Sequence, residues 1–369
     1  MNIQCKSDPL RTIRAALKAC GEGSSSVSIG VVDGLPDLPH PALVDAKIDV
    51  LQTMVPPEMV ESDPHGTSIC SLIFGRGGQI RGLAPGCSGL VLPLFFRKTK
   101  DGQSLPVSQL DLARAISFGI ENDVSIINIS AGQKSATAEA ESHLAQVIQL
   151  AAARRVLLVA AAGNDGCACI HLPAAVEFVL SVGALGATGK PLEISNWAEA
   201  YRRNGVLAPG ENLPVAVPGG DTGAGTGTSF AAAVVSGVAA LLLSVARREG
   251  YQLDPLDIRQ IIIESATPCE LEGVGACDRF LAGTNAAAAL AMLHRAGAGQ
   301  TSFAMVQTAG LDLHVGRDAG GRQATVSGRG DLGSLTSVRV MQSLASCPAC
   351  RHQPARAIRR LKTKPQKRR

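Results

Sequence analysis

The stretch GTGTSFAAAVVSGVAALLLSV, residues 225–245, sets one hydroxyl-bearing triplet before a long run of almost purely apolar residues. The run is too short for a membrane span of roughly 20 apolar residues, and Ser236, Gly237 and the following Arg247 interrupt or end it. A helix that is apolar on every side belongs in the middle of a large core. The stretch therefore predicts a buried helix with Ser229 at its N-terminal end, where the helix dipole favours developing negative charge.

Ser229 has a structural interpretation as well as a chemical one. A serine at the start of an apolar helix is often only an N-cap that satisfies an orphan backbone donor. A nucleophile at the same place requires a base to remove its proton, a carboxylate to orient that base, and donors for the oxyanion. The rest of the sequence decides whether those partners exist.

The composition is that of a soluble globular protein with a large core. The 369 residues are 46% hydrophobic and 18% charged, which excludes a disordered chain and allows one large domain or two ordinary ones. The N-terminal region carries charge throughout and has no continuous apolar segment, so no secretory signal is expected and the predicted location is cytoplasmic.

Ten cysteines in a cytoplasmic chain of this length are expected to be reduced thiols rather than a disulfide framework. Cys70 and Cys87 are predicted to be small core residues. Cys167 and Cys169 stand close together in a glycine-rich loop, and three alternatives stay open for them: metal binding, pairing with other cysteines, or simple exposure.

The C-terminal part of the chain is basic. From residue 301 onward there are thirteen Lys/Arg and three Asp, which leaves twenty-two basic and twenty-eight acidic residues before it. A basic run of this kind is typically a solvated, flexible tail and less often a nucleic-acid contact. The pattern favours the tail, and nucleic acid is not predicted as a partner.

Strands and helices alternate along the chain before this tail. The strand patterns SVSIGVVDG, VSIINIS and VLLVAAAG are separated by the helical patterns SQLDLARAISFGIEN and AEAESHLAQVIQLAAARR. Further helices are predicted over residues 9–20, in DPLDIRQIIIESA and in NAAAALAMLHRAG. Such alternation predicts βαβ units and a parallel sheet, in which functional residues gather at the carboxyl ends of the strands.

Three polar residues are candidates for the partners of Ser229, and two of them, Asp33 and Asn164, stand at such strand ends. His65, in DPHGTSICSLIFG, lies at the start of a predicted helix and is the candidate base. Asp33 ends an apolar strand, where a charge is costly without a partner, and is the candidate orienting carboxylate. Asn164 follows the strand VLLVAAAG beside glycines and is the candidate oxyanion donor, together with the backbone N–H of Ser229.

The motifs VVDGLPDLPHP, HGTSICSLIFG, NISAG, AAAGND and GTSFAAAVVSG occur in the order Asp, His, Asn, Ser, and together they resemble the subtilisin-like serine proteases. The resemblance covers residues 26–294. It implies a three-layer α/β fold with a mainly parallel sheet flanked by helices, and it assigns Asp33, His65 and Ser229 to the catalytic triad and Asn164 to the oxyanion. It also implies two substrate-binding segments that pair with an extended peptide: Ser130, Ala131 and Gly132, and Ala161, Ala162 and Gly163.

Two positions depart from the family pattern. Gly34 stands where the family usually has a small hydroxyl residue, and Ala233 stands where it usually has proline. The Asp33-Gly34 pair and GTSFA are similar to the cyanobactin maturation proteases, which cut ribosomally made precursor peptides inside the cell. Related macrocyclases carry a helical cap between the catalytic Asp and His. Residues 34–64 leave no room for such a cap, so hydrolysis is predicted.

The predicted organisation is a short N-terminal helical segment (residues 1–24), a subtilisin-like peptidase domain (25–297) and a basic, flexible tail (298–369). No cofactor and no obligatory metal are expected, because no dense carboxylate cluster is found and CPACRH (347–352) is only half of a zinc motif. The expected partner is a peptide or precursor-protein substrate. The alternatives are a macrocyclase of the same family and a peptide-binding pseudoenzyme.

Overall fold

The computed structural model describes residues 9–51, 62–94, 107–267 and 283–299, and three strands between residues 306 and 327. Contacts within the chain divide it into two units, Met1–Phe303 and Ala304–Arg369. The strands of the first unit are β1 (Ser28–Asp33), β2 (Ile48–Val50), β3 (Ser88–Pro93), β4 (Ile126–Ile129), β5 (Gln133–Ser135), β6 (Leu157–Ala161), β7 (Ile170–Leu172), β8 (Val179–Leu185), β9 (Gly205–Pro209), β10 (Leu213–Val217) and β11 (Asp221–Gly225).

Seven of these strands form one parallel sheet in the order β2-β3-β1-β4-β6-β8-β9. Two small antiparallel sheets, β5-β7 and β10-β11, accompany it. The α-helices of the unit are α1 (Arg11–Ala16), α2 (Pro64–Phe74), α3 (Gln109–Glu121), α4 (Ser142–Ala153), α5 (Thr228–Arg248), α6 (Pro255–Glu264) and α7 (Ala286–Gly297).

The sheet lies between two hydrophobic cores because successive side chains of a strand point to opposite faces. In β4, Ile126 belongs to the core that contains α2 and α5, and Ile127 belongs to the core that contains α3 and α4. The predicted three-layer α/β fold with a mainly parallel sheet is confirmed.

The helix α5 occupies the centre of the larger core. Every residue from Thr228 to Ala246 is buried, so the apolar stretch is a core helix. By length and composition α5 would pass as a membrane span, but its apolar part is wholly enclosed by the protein. Burying each leucine of this helix contributes about 1.5–3 kcal/mol to folding. The helix that bears Ser229 is therefore also the main packing element of the unit.

The predicted helices and strands are found with shifted ends. The helix expected over residues 9–20 is α1 followed by a 3-10 turn, Lys18–Cys20. The sequence did not predict the short pairs β5-β7 and β10-β11, because strands such as Asp221–Gly225 have few β-branched residues and depend on their pairing partners.

The second unit contains three antiparallel strands, β12 (Val306–Thr308), β13 (Leu311–Arg317) and β14 (Ala324–Ser327), which were not predicted. Apart from residues 298 and 299, the other residues of the predicted tail, with the CPACRH segment, lie outside the described residues. The division into segments 1–24, 25–297 and 298–369 stays a prediction.

Candidate active site

The first pair of the site consists of Asp33 and His65. Asp33 is the last residue of β1 and is fully buried, and its Oδ1 accepts hydrogen bonds from His65 Nδ1 at 2.8 Å and from the Gly34 backbone N–H at 2.7 Å. A carboxylate on Nδ1 keeps the proton there and leaves Nε2 as the basic nitrogen. The geometry therefore prepares His65 to accept a proton at Nε2.

The N-terminus of α2 fixes the position of the imidazole. Asp63 is the N-cap residue, and its Oδ1 accepts from the backbone N–H groups of His65 at 2.8 Å and Gly66 at 2.9 Å. Pro64 occupies the first position of the helix, where its missing N–H costs nothing. The ring of His65 also meets Phe230 of α5 edge to face, with centroids 5.6 Å apart.

Two carboxylates act on the protonation of His65. Burial lowers the pKa of the imidazole, but the charge and hydrogen bond of Asp33, with a further contribution from the charge of Asp63, raise it above the ordinary value. Asp63 was not predicted from the sequence. Its position two residues before the histidine, directly before a proline, is the N-cap signal that would have identified it.

Gly34, the first departure from the family pattern, is explained by Asp63. A Cβ at Gly34 would lie 2.4 Å from Cβ of Asp63, so no side chain fits there. Within the described residues, Oδ2 of Asp33 is buried and has no hydrogen-bond partner. Asp63 thus occupies the space that a side chain at position 34 would need.

Ser229 lies in the first turn of α5, and its hydroxyl donates to the Ser130 carbonyl at 3.3 Å. The N-cap position belongs to Gly227, which makes no side-chain cap, so the simple capping role considered for Ser229 is excluded. In nucleophilic attack the hydroxyl gives its proton to a base. The Ser229 hydroxyl must therefore break its hydrogen bond to the Ser130 carbonyl and donate to His65 Nε2 instead.

Asn164 follows β6 and is oriented by Thr228. Its Oδ1 accepts from the backbone N–H of Thr228 at 2.9 Å and from the Thr228 hydroxyl at 3.1 Å. A backbone N–H can only donate, so the oxygen of the amide faces Thr228 and Nδ2 remains as the donor for an oxyanion. The N–H of Ser229 is a second donor, because amides in the first turn of a helix have no intrahelical partner. Thr228 is an orienting residue that the sequence analysis did not identify.

The two predicted substrate-binding segments leave neighbouring strands of the sheet. Residues 130–132 follow β4, and residues 161–163 consist of the last residue of β6 and the two residues after it. Behind the first segment, Ser236 Oγ donates to Oδ1 of the fully buried Asn128 at 3.0 Å, and Asn128 Nδ2 donates to Ser130 Oγ at 2.9 Å. A buried polar chain thus connects the middle of α5 to the segment that touches Ser229.

Cys167 and Cys169 form a disulfide with each other in the loop after Asn164. The general expectation of reduced thiols left the state of this pair open, and of the alternatives considered the structure has the two cysteines paired, with each other. Cys70 and Cys87 are free and buried, as predicted.

Two groups of possible metal ligands are found among the described residues. The first, Asp165 with Cys167 and Cys169, has both sulfur atoms in the disulfide. The second consists of Asp33, Asp63 and His65, in which Oδ1 of each carboxylate and Nδ1 of the imidazole are engaged in the hydrogen bonds described above. Neither group is assigned a metal, and the expectation of no obligatory metal stays a prediction.

The site combines a buried carboxylate hydrogen-bonded to a histidine, a serine at a helix N-terminus and an oriented amide. On an α/β fold this combination defines a serine-hydrolase site. The family model of the subtilase family (Peptidase_S8) matches residues 24–299. The chain belongs to this family.

The chain is similar to characterised members of the family. It is 29% identical over 238 residues to Subtilisin E of Bacillus subtilis (strain 168), an alignment that covers 62% of this chain and 58% of that protein. The solved structure of the prenylagaramide maturation protease PagA is 39% identical, with a TM-score of 0.70 over 76% of this chain and 98% of that chain. The PatG macrocyclase in complex with peptide is 25% identical, with a TM-score of 0.70 over 79% of this chain and 98% of that chain.

Proposed function

We propose that the protein is a serine endopeptidase that hydrolyses peptide bonds. The observation that carries the proposal is the hydrogen bond from His65 Nδ1 to the buried Asp33 at the end of β1, at the sheet edge where Ser229 contacts Ser130 and Thr228 orients the amide of Asn164. Family membership supports the same reaction.

The reaction follows from the roles of these groups. Ser229 Oγ forms a bond to the scissile carbonyl carbon while His65 Nε2 takes the hydroxyl proton, and Asn164 Nδ2 and the Ser229 N–H bind the oxyanion. The C–N bond then breaks, and His65 delivers its proton to the leaving amine. Water attacks the acyl-enzyme with the same base, which releases the carboxylic acid and restores Ser229.

The proposed substrate is a ribosomally made precursor peptide. The support is the similarity to PagA, which is described as a maturation protease. A cytoplasmic location belongs to the proposal, and the 30% identity over 226 residues to the Major intracellular serine protease of Bacillus subtilis (strain 168) supports it.

Macrocyclisation is the second candidate reaction because the PatG macrocyclase has a similar structure. The described residues between Asp33 and His65 are 34–51 and 62–64, and they contain the short strand β2 and no helix before α2 begins at Pro64. A cap helix is therefore not seen in these residues, which favours hydrolysis.

The test combines a fluorophosphonate probe with analysis of peptide products. We expect the probe to label Ser229 alone, by mass spectrometry of the adduct, and not to label the His65→Ala variant. With a precursor peptide the expected product has a free carboxylate, whereas a cyclic product would favour the macrocyclase. A folded protein that is not labelled and does not cleave any peptide would overturn the proposal in favour of a peptide-binding pseudoenzyme.

Replacing Asp63 with asparagine is expected to extend activity to lower pH. His65 acts as a base only when neutral, so activity is lost as the pH falls through its pKa, which Asp63 helps to raise. Removing that charge lowers the pKa of His65 and shifts the acidic limb of the kcat/KM profile to lower pH. Asparagine caps a helix as well as aspartate does, so α2 is retained.

The pH profile of kcat/KM checks this expectation. The matched control is Asp123→Asn, which lies before β4 at the opposite edge of the sheet. An acidic limb that stays in place in Asp63→Asn would show that this carboxylate does not act on the base.

A further inference from the structure

Asn196 is a fully buried asparagine in the connection between β8 and β9. Its side-chain amide faces the loop after β6, which carries Asn164. The Oδ1 atom accepts from the backbone N–H of Asp165 at 2.7 Å, and Nδ2 donates to the Ala162 carbonyl at 3.2 Å. A backbone N–H can only donate, so the orientation of the amide is fixed. The Asn196 side chain therefore bonds to residues on both sides of Asn164.

Two further hydrogen bonds join Asn196 to the same loop. Its backbone N–H donates to the Gly163 carbonyl at 2.9 Å, and Nδ2 also donates to Asp165 Oδ2 at 2.8 Å. The hydrogen bond from Asn196 is the main cause that lowers the pKa of the Asp165 carboxyl, so the acceptor stays ionised and the bond is charge-assisted. A Cβ at Gly163 would lie 2.4 Å from Nδ2, so the loop passes this close to the amide only because a glycine stands there.

The oxyanion amide of Asn164 is consequently fixed at two places. Thr228 holds Oδ1 through its backbone N–H at 2.9 Å, and Asn196 holds the backbone before and after Asn164. The position of Nδ2 depends on both, because the side chain starts at the backbone and ends at the amide. A displacement of about 1 Å at a catalytic group can cost about 10²-fold in rate.

We propose that Asn196 is a positioning residue of the oxyanion site, which acts on catalysis through Asn164. This inference rests on the proposed endopeptidase function. Asn196 is fully buried and does not touch the substrate. The substrate-binding segment keeps other support without its amide, because the Ala162 N–H donates to the Val182 carbonyl at 2.9 Å and the Ala162 carbonyl also accepts from the Tyr201 hydroxyl at 3.1 Å. Its loss should therefore affect the transition state more than substrate binding.

The first experiment is steady-state kinetics of Asn196→Ala on a cleavable peptide. We expect kcat to fall by about 10–100-fold and KM to stay within about 3-fold, which is the pattern of a loss confined to the transition state. Asn122→Ala, at the exposed C-terminal end of α3, is the matched control and should leave both constants unchanged. A folded Asn196→Ala variant with the kcat of the wild-type protein overturns the proposal.

A double-variant cycle with Asn164→Ala distinguishes positioning from a general structural role. Asn164→Ala alone is expected to lower kcat by about 10²–10³-fold, the loss measured for the oxyanion asparagine of subtilisin. Adding Asn196→Ala should lower kcat by less than about 3-fold more, because the group that it positions is already gone. Two losses that multiply in full would show that Asn196 acts independently of Asn164, which also overturns the proposal.

Asn196→Asp keeps the shape of the side chain and provides the test if Asn196→Ala does not fold. Burial and the neighbouring Asp165 carboxylate both favour the neutral form of the introduced carboxyl. His171 Nε2 bonds to Asp165 Oδ2 at 2.7 Å, and Lys134 Nζ lies 3.7 Å from Asp165 Oδ1, so these two groups face Asp165. The neutral carboxyl offers one donor and one acceptor, as the amide does.

The ratio of kcat for Asn196→Asp to kcat for the wild-type protein is measured across the pH range. We expect the ratio to be highest at low pH and to fall by about 10-fold or more as the pH rises through the pKa of the introduced carboxyl, because ionisation removes the donor and repels Asp165. A ratio near one at every pH overturns the proposal. Absence of cleavage and of fluorophosphonate labelling in the wild-type protein would instead overturn the endopeptidase function itself.

Discussion

Replacing Ser229 with alanine is expected to lower kcat for peptide hydrolysis by about 10⁶-fold, which is the loss measured when the nucleophilic serine of subtilisin is removed. The variant lacks the only atom that can form the acyl-enzyme, so substrate binding and the oxyanion donors remain while covalent catalysis is lost. The measurement is single-turnover kinetics on a cleavable peptide, with probe labelling in parallel.

The stability of this variant should be close to that of the wild-type protein. The hydroxyl makes one long hydrogen bond, to Ser130, so the free energy of unfolding is expected to change by about 1 kcal/mol or less. Ser142→Ala, on the exposed first turn of α4, serves as the control and should keep full activity. Residual hydrolysis at the wild-type rate in Ser229→Ala would show that another group is the nucleophile.

Replacing Asp33 with asparagine is expected to lower kcat by about 10⁴-fold, the loss known for the same change in a Ser-His-Asp protease. An asparagine that directs its NH₂ group at Nδ1 of His65 stabilises the tautomer with its proton on Nε2. That imidazole cannot accept the proton of Ser229. Steady-state kinetics at neutral pH would measure the loss.

The same substitution is expected to leave the free energy of unfolding unchanged or to raise it. Asp33 is fully buried, and its Oδ2 has no hydrogen-bond partner within the described residues, so the wild-type protein carries the desolvation cost of a charge. Thermal unfolding of Asp33→Asn should therefore occur at or above the wild-type temperature, with Asp49→Asn on the exposed part of β2 as control. A large loss of stability would show that the carboxylate is needed for folding rather than for catalysis alone.

The architecture was predictable from the sequence wherever the pattern of apolar and polar residues in a segment matches the burial of that segment in the fold. The uninterrupted apolar run after Ser229 requires burial on every side, and only a large core offers it. Each strand pattern that ends in a polar residue, as β1 does at Asp33, places that residue at the carboxyl edge of a parallel sheet. Asp33 and His65 are hydrogen-bonded as the candidates for carboxylate and base should be, and Thr228 orients the amide of Asn164.

Some of the features that were missed depend on contacts between segments distant in sequence, and others depend on the conformation of a single loop. Asn196 has no signal of its own, because its hydrogen bonds to Ala162 and Asp165 join two segments that are far apart in the chain. The bond between Cys167 and Cys169 depends on loop conformation and redox state, which residue periodicity does not contain. The role of Thr228 follows from the direction of one backbone N–H.

The buried chain of hydrogen bonds behind the active site connects the nucleophile to the hydrophobic core of the protein. Ser229 and Ser236 lie on α5, and the contacts through Ser130 and Asn128 close a ring between that helix and β4. Active-site segments commonly belong to the parts of a protein that open most easily, whereas here the nucleophile lies on a fully buried core helix, whose amide hydrogens are expected to exchange only on global unfolding. Catalytic activity during heating is therefore expected to fall in parallel with the fraction of molecules that remain folded.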